Sequence, residues 1–157
     1  AAAEMLRDGL SAEEIVRKST ELIPCVDASF VIDSLEYLYK GGRCSALAMF
    51  GANLLKLKPC IQVKNGKMDV SKKYRGKFED VLKQYITEKA EDYSDIVLDR
   101  VFITHAGCDP EVAKNAAELA KKLAPFKEVF ITRAGCTVSS HCGANTLGIL
   151  FIRKSPI

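Results

Sequence analysis

The sequence predicts an α/β fold in which helices pack on a mixed, partly antiparallel sheet. Apolar runs rich in β-branched residues, typical of buried strands, are separated by segments whose apolar residues recur with helical spacing. Asn65-Gly66 stands between two short strand-like runs and predicts a tight antiparallel hairpin. The last two strand-like runs also have no long helix between them. A purely parallel sheet is therefore not expected.

The first third of the chain contains clear helix boundaries. A helix-forming stretch ends at Gly9, and Ser11 with Glu14 forms a capping box that opens a second helix before Pro24. Residues 28–33 read as a short strand. Ser34 then opens a short helix, and two consecutive glycines close it.

Residues 45–57 are almost continuously apolar and carry small side chains on successive turns. A helix that is apolar all round is buried or faces an apolar ligand, so we expect this segment to be such a helix. In particular, residues 45–55 are expected to be partly exposed and to line an acyl tunnel, an inference from their composition.

The second half alternates helices and strands. We expect a long helix over residues 76–93, a strand over 100–107 and a helix opened by Asp109, with Pro110 at its first position. Strands follow at "EVFITR" and "TLGILFI". Nothing resembles an internal repeat or a linker, so residues 1–157 are expected to form one domain.

The composition excludes several classes of protein. Of 157 residues, 48% are hydrophobic and 27% charged, which is typical of a globular domain. The net charge of +3 and an aromatic content of 8% argue against nucleic-acid binding. No apolar run reaches the roughly 20 residues of a membrane span, so no integral membrane segment is expected.

The six cysteines form no C-x-x-C pair, and several lie inside apolar runs. Buried thiols that act as small hydrophobic side chains explain this pattern better than a disulfide framework does. We therefore expect six free cysteines, no disulfide bond and a cytoplasmic location.

The stretch "RAGCTVSSHCGANTLG", residues 133–148, lies between two predicted strands and is expected to be a loop. One interpretation is a zinc clip, because His and Cys side chains are zinc ligands. Their spacing matches no compact zinc pattern, so we expect no bound metal. The candidate ligands would be His105, Cys108, Cys136, His141 and Cys142.

A second interpretation is a nucleophile loop, in which His141 activates Ser139, Ser140 or a cysteine of a small hydrolase. Consecutive residues of an extended loop point to opposite sides, and no G-x-S-x-G elbow is present, so this interpretation is not favoured. A third possibility is that His141 is simply a structural histidine. We expect this of His105, whose imidazole can bond loop backbone at the end of its strand.

A fourth interpretation is a socket for a small anion. An imidazole, hydroxyls and glycine-exposed backbone N–H groups can hold a carboxylate. Arg43 follows two glycines and leaves its guanidinium free for a bidentate contact. Because the apolar segment starts directly after Arg43, a polar head site beside an apolar helix fits an amphiphile with an acidic head.

Five motifs in one consistent order resemble the DegV family. "LEYLYKGGR" matches its L-x-x-L-x-K-G-G-R motif, and the small-residue helix, "KP" and an N-G-K hairpin follow. "YRGKFEDVL", "VFITHAGCDPEVA" and "SSHCGANTLGILF" resemble the next helix start, the I-x-H-(A/G) strand end and the closing H-x-G-P-G-x-L-G-I-x-F motif.

The resemblance implies binding of a long-chain fatty acid, whose carboxylate is presented to a separate fatty acid kinase that forms an acyl phosphate. It places Arg43 and His141 in the carboxylate network, and we expect them to lie near one another. It implies no catalytic residue and no cofactor in this chain. A purely structural lobe remains the alternative from a further class.

Two departures from the family pattern matter. The loop reads HCGAN where the family usually has H-T-G-P-G, so we expect a looser loop with one polar contact fewer. Family members are about twice this length, and an additional N-terminal parallel-sheet lobe carries the Ser and Thr that grip the carboxylate. We therefore expect a C-terminal lobe with half of the binding site, able to self-associate through exposed apolar surface.

Overall fold

A computed structural model describes residues 1–42 and 57–157 of the chain. The described residues form an α/β fold with six strands in one sheet. The elements in chain order are α1 (Ala2–Arg7), α2 (Ala12–Leu22), a 3-10 turn (Ile23–Cys25), β1 (Val26–Ile32), α3 (Glu36–Lys40), β2 (Leu57–Lys64), β3 (Lys67–Arg75), α4 (Phe78–Ala90), β4 (Arg100–Ala106), α5 (Pro110–Leu123), β5 (Glu128–Arg133), α6 (Cys136–Cys142) and β6 (Thr146–Ile152).

The strands lie in the order β3-β2-β1-β6-β4-β5. Strands β4 and β5 are parallel, whereas each of the other neighbouring pairs is antiparallel. This confirms the mixed, partly antiparallel sheet. Of the helices in the described ranges, none is long and apolar enough to cross a bilayer.

The predicted hairpin is confirmed by its turn. Asn65 and Gly66 both have positive φ, at 52° and 71°, which is the geometry of a type I′ turn. Strands β2 and β3 pair on either side of it, with an irregularity between Cys60 and Ile61. The turn therefore sets the register of the outer pair of strands.

Of the predicted helix N-caps, Ser11 and Asp109 are confirmed, whereas the short helix expected to open at Ser34 has Leu35 as its N-cap. The Glu14 amide donates to Ser11 Oγ over 3.3 Å, and the Ser11 amide donates to Glu14 Oε2 over 2.9 Å. Asp109 Oδ1 accepts a 2.8 Å hydrogen bond from the amide of Glu111 at the start of α5. These local bonds satisfy amides that would otherwise lack partners at the helix N-termini.

Helices α4 and α5 pack together on one face of the sheet, which we call the covered face. Its largest buried side chain is Tyr85, which is 0% exposed. The Tyr85 hydroxyl donates to the Ser29 carbonyl over 2.7 Å and accepts from the Ile149 amide over 3.1 Å, so α4 is bonded to two strands. The strand residues of this face include Val31, Cys60, Val101, Ile103, Leu147, Ile149 and Phe151.

A buried ion network closes the end of the covered face. Asp27 is 1% exposed, and its carboxylate accepts hydrogen bonds from Lys89 Nζ at 3.1 Å and from Arg153 Nε at 2.9 Å. Lys89 lies on α4 and Arg153 follows β6. The network therefore joins the first strand, the central helix and the end of the last strand.

Candidate functional site

The central part of residues 133–148 forms a short helix rather than the extended loop that the sequence predicts. Helix α6 spans Cys136–Cys142, and the Ser139 amide donates to the Gly135 carbonyl over 2.9 Å. The expectation of an extended loop was wrong because Thr, Val, Ser and Cys have weak intrinsic helix propensity. Contacts with α3, which the sequence does not reveal, accompany the helical form.

The hydroxyl groups of this helix are used by its own backbone. Ser139 Oγ donates to the Ala134 carbonyl over 3.1 Å, and Ser140 Oγ donates to the Thr137 carbonyl over 3.0 Å. Burial raises the pKa of the Cys142 thiol, which disfavours the nucleophilic thiolate. Among the described residues, these two serines and Cys142 therefore lack the pairing with His141 that an activated nucleophile requires.

His141 lies against the glycine turn that ends α3. A Cβ atom added at Gly41 would stand 2.5 Å from His141 Nδ1, so the imidazole rests where only a glycine leaves room. Gly41 caps α3, and its amide donates to the Tyr37 carbonyl over 2.9 Å. The imidazole therefore contacts the turn that leads directly to Arg43 in the sequence.

Arg43 and the segment 45–55 lie outside the described residues. The predicted proximity of Arg43 and His141 therefore stays a prediction, as does the acyl-lining role of the apolar segment. Leu57, the last residue of that predicted helix, instead begins strand β2. His141 contacts Gly41, which a single residue, Gly42, separates from Arg43 in the chain.

The other candidate metal ligands do not form a cluster. Within residues 1–42 and 57–157, no group of three or more His, Cys, Asp or Glu side chains could hold a metal ion. The cysteines at 25, 60, 108, 136 and 142 are free thiols. Cys108 donates to the Thr146 carbonyl over 3.4 Å, and burial, with the nearby Asp33 carboxylate, raises its pKa to about 11.

His105 differs from the expected structural histidine. Its Nδ1 is buried, and no hydrogen-bond partner reaches it from the described part of the chain. The expected bond between its imidazole and loop backbone is therefore not made at this nitrogen. The backbone carbonyl of His105 instead accepts a 2.9 Å bond from the Ala134 amide.

The loop after α6 is joined to the residue before α3 by two hydrogen bonds. Asn145 has a φ of 56°, a left-handed conformation that Asn adopts more readily than most residues. Its carbonyl accepts from the Asp33 amide over 3.2 Å, and its Nδ2 donates to Asp33 Oδ2 over 3.4 Å. The expectation that this loop is looser than the usual family loop stays a prediction.

The face opposite α4 and α5 carries a continuous line of apolar side chains, which we call the apolar row. Cross-strand pairing places its members side by side over all six strands. In spatial order they are Met68, Val63, Ala28, Leu150, Phe102 and Phe130. Met68, Phe102 and Phe130 are 44%, 37% and 38% exposed, and the other members are partly buried.

The apolar row continues into a groove of about 490 Å³ near the start of β4. Leu22, Val26 and Ile152 line it together with Leu150 and Phe102. The Phe102 and Phe130 rings stack with their centroids 5.3 Å apart. A half-exposed apolar surface of this extent is typical of a binding surface.

The sequence analysis predicts neither this surface nor the contact of the Tyr37 ring with Gly143 at the end of α6. A signal for the surface was present, because "RVFIT" and "ILFI" are apolar at consecutive positions and so present apolar side chains on both faces of the sheet. No local signal indicates the contact of Tyr37, since its partner Gly143 is distant in sequence.

Comparison with known proteins gives consistent matches over nearly the whole chain. The Thermotoga maritima "Fatty acid-binding protein" is 32% identical over 149 residues, covering 94% of this chain and 51% of that protein. The crystal structure of DegV, a fatty acid binding protein from Bacillus subtilis, is 32% identical with a TM-score of 0.74, covering 98% of this chain and 54% of that one.

A third match is the crystal structure of a fatty acid binding DegV family protein from Streptococcus agalactiae. It is 26% identical with a TM-score of 0.82, covering 98% of this chain and 54% of that one. The chain thus spans about half the length of the curated relatives it matches. The family described as "Uncharacterised protein, DegV family" matches residues 1–154. This chain belongs to the DegV family.

Proposed function

We propose that this chain binds a long-chain fatty acid, with the acyl chain running along β6 across the apolar row and the carboxylate directed to the end of the sheet where His141 meets Gly41. The observation that carries the proposal is the half-exposed apolar row on a sheet whose other face is largely covered by α4 and α5. Apolar surface left in water is unfavourable, and covering it contributes about 25 cal/mol per Å².

The dimensions of the sheet suit a long, thin ligand. From Thr146 to Ile152, β6 extends about 20 Å at the usual rise per strand residue. His141 lies in the helix just before the start of β6, and the groove lies beside its end. A fatty acid placed along this direction would have its head at one end of the strand and its tail at the other.

The chemistry of the head end suits a carboxylate. An imidazole, whether neutral or protonated, can donate a hydrogen bond to a carboxylate. Arg43, from the resemblance, would supply the charge-assisted bond, which is worth about 1.5–3 kcal/mol net. The names of the relatives from Thermotoga maritima and Bacillus subtilis support the same ligand class.

The remaining predictions rest on the resemblance. Presentation of the carboxylate to a separate fatty acid kinase is part of the proposal, as is a second lobe that would supply the Ser and Thr of the grip. Self-association through the apolar row is what we expect where that lobe is absent, because exposed apolar surface of this kind favours contact. No catalytic step is assigned to this chain.

Binding is tested by calorimetry on the intact protein with palmitate, hexadecanol and methyl palmitate. We expect palmitate to bind more tightly than the other two, because they offer the same tail without a carboxylate. Equal affinity for all three ligands would contradict the proposed carboxylate site and support only an apolar binding surface. Absence of binding by all three would contradict the proposed function.

The position of the tail is tested with two neighbouring substitutions of similar exposure. Phe102→Asp places a charge in the apolar row, and we expect palmitate affinity to fall about tenfold or more. Ile131→Asp is the matched control, because Ile131 is 48% exposed on β5 but lies outside the apolar row. Equal losses in both variants would contradict the assignment of the tail to this face.

A further inference from the structure

Two contacts of the same kind join α3 to the end of α6. The His141 imidazole lies against Gly41, and the Tyr37 ring lies against Gly143. A Cβ atom at Gly143 would overlap the Tyr37 ring, just as one at Gly41 would crowd the imidazole. The α3 segment therefore provides the Tyr37 ring and Gly41, and the α6 segment provides the His141 ring and Gly143. Each ring packs against the glycine of the other segment.

The two glycines meet different requirements. Gly41 has a φ of −78°, which any residue can adopt, so only the nearby imidazole requires a glycine there. Gly143 has a φ of 78°, so both its conformation and the Tyr37 ring exclude a side chain. Both contacts would be lost if the segments shifted relative to one another by the thickness of a ring.

A third connection stabilises the base of the same arrangement. Asp33, just before α3, is bonded to Asn145 after α6 through two hydrogen bonds. The Asp33 carboxylate also pairs with Lys58 Nζ at 2.5 Å. The two segments are therefore connected at His141 and at two further residues after it in the chain.

Tyr37 contributes little to the core of the domain. Its side chain is 44% exposed, whereas its neighbour Leu38 is 2% exposed and packs with Ile32 and Ile61. Leu38 thus anchors α3 on the sheet, and the Tyr37 ring is turned to the C-terminal end of α6. A half-exposed aromatic ring fitted against a glycine is better explained by positioning than by core stability.

We propose that Tyr37 is a positioning residue for the head-group histidine: by packing on Gly143 it fixes the last turn of α6, and so holds the His141 imidazole against the Gly41 turn. This inference rests on the proposed function, in which His141 bonds the fatty acid carboxylate. It adds a residue that contacts neither the carboxylate nor the acyl chain.

The test measures palmitate affinity in single and double variants of the intact protein. We expect Tyr37→Ala to weaken binding about tenfold and Tyr37→Phe to retain wild-type affinity, since the ring rather than the hydroxyl makes the contact. Tyr39→Ala is the matched control on the same helix, because Tyr39 is 72% exposed, and it should bind as the wild type does.

The double variant Tyr37→Ala/His141→Ala distinguishes positioning from general destabilisation. If Tyr37 acts through His141, the double variant binds no more weakly than His141→Ala alone. Additive losses, or unchanged affinity in Tyr37→Ala, would overturn this inference and leave the proposed function intact. Unchanged affinity in His141→Ala would overturn the proposed head-group site and, with it, the basis of the inference.

Gly41→Ala tests the position of the His141 imidazole independently of Tyr37. It leaves Tyr37 in place but brings a methyl group to 2.5 Å from Nδ1, so the imidazole must move. We expect palmitate affinity to fall to the level of His141→Ala, with an unchanged unfolding midpoint. Wild-type affinity in this variant would show that the position of the imidazole does not matter, which would also overturn the inference.

Discussion

The two faces of the sheet differ in packing although their residue types are alike. On β6, Ile149 is 0% exposed under α4 and α5, whereas the next residue, Leu150, is only partly buried in the apolar row. On β4, Val101 is 0% exposed and Phe102 is 37% exposed. The difference teaches that one face makes the fold stable, while the other leaves apolar surface exposed, and it is on this second face that we propose the acyl chain lies.

The largest expected effect lies on the covered face, at its buried carboxylate. Asp27→Ala leaves Lys89 and Arg153 without their buried partner, and breaking such a network costs about 3–5 kcal/mol. The free energy of unfolding in urea measures this loss. Glu21→Ala, which breaks an exposed pair with Arg17, should cost less than about 0.5 kcal/mol. Equal costs in both variants would contradict a structural role for the network.

The comparison is tested most directly by neighbouring truncations on β6. Ile149→Ala should cost about 2–5 kcal/mol because it opens a cavity in a packed core. Leu150→Ala should cost about 1 kcal/mol, since its side chain is only partly removed from water. Palmitate affinity should change in the opposite order. A larger loss of stability in Leu150→Ala would show that the apolar row belongs to the core.

Tyr85→Phe tests whether the hydrogen bonds of the Tyr85 hydroxyl stabilise the covered face. Tyr85→Phe leaves the Ser29 carbonyl and the Ile149 amide without this partner, which should cost about 1–3 kcal/mol of unfolding free energy. Tyr39→Phe on exposed α3 is the control and should cost nothing measurable. An unchanged free energy of unfolding in Tyr85→Phe would mean that water replaces the hydroxyl within the covered face.

The elements with local signals could be predicted from the sequence. The Asn65-Gly66 turn, the Ser11 capping box and the Asp109 cap depend on residues only a few positions apart, and all three are found in the structure. Helix α6 was missed because its residues are poor helix formers and α3 contacts it. The order of the side chains in α6 does not indicate its contacts with α3.

The chemistry of the proposed head-group site stays a prediction from the sequence, whereas the placement of His141 could not be predicted. His141 was identified from its residue type and the resemblance, whereas its fit against Gly41 depends on a tertiary contact. The choice of covered face could not be predicted, because β4, β5 and β6 have apolar side chains at consecutive positions. Only the placement of α4 and α5 distinguishes the two faces.

The smallest expected effect concerns the attachment of α1 beside the groove. Helix α1 has no buried residue, and its Glu4 pairs with Arg100 at the start of β4. The hydrogen bond from Arg100 lowers the pKa of Glu4 from its usual 4.5 to about 2. Because the pKa is lower in the folded state, the pairing stabilises α1 above pH 4.5, and this contribution is lost as the pH falls towards 2.

This attachment can be followed by NMR titration of the Glu4 carboxyl group. We expect a midpoint near pH 2, rising towards 4.5 in Arg100→Gln, while the global unfolding midpoint at neutral pH changes little because the pair is exposed. Arg17→Gln removes a guanidinium that pairs within α2, so it should leave the Glu4 midpoint unchanged. A Glu4 midpoint near 4.5 in the unsubstituted protein would mean that α1 is not held at the groove by this pair. The groove beside Phe102 would then be open on the side where α1 lies.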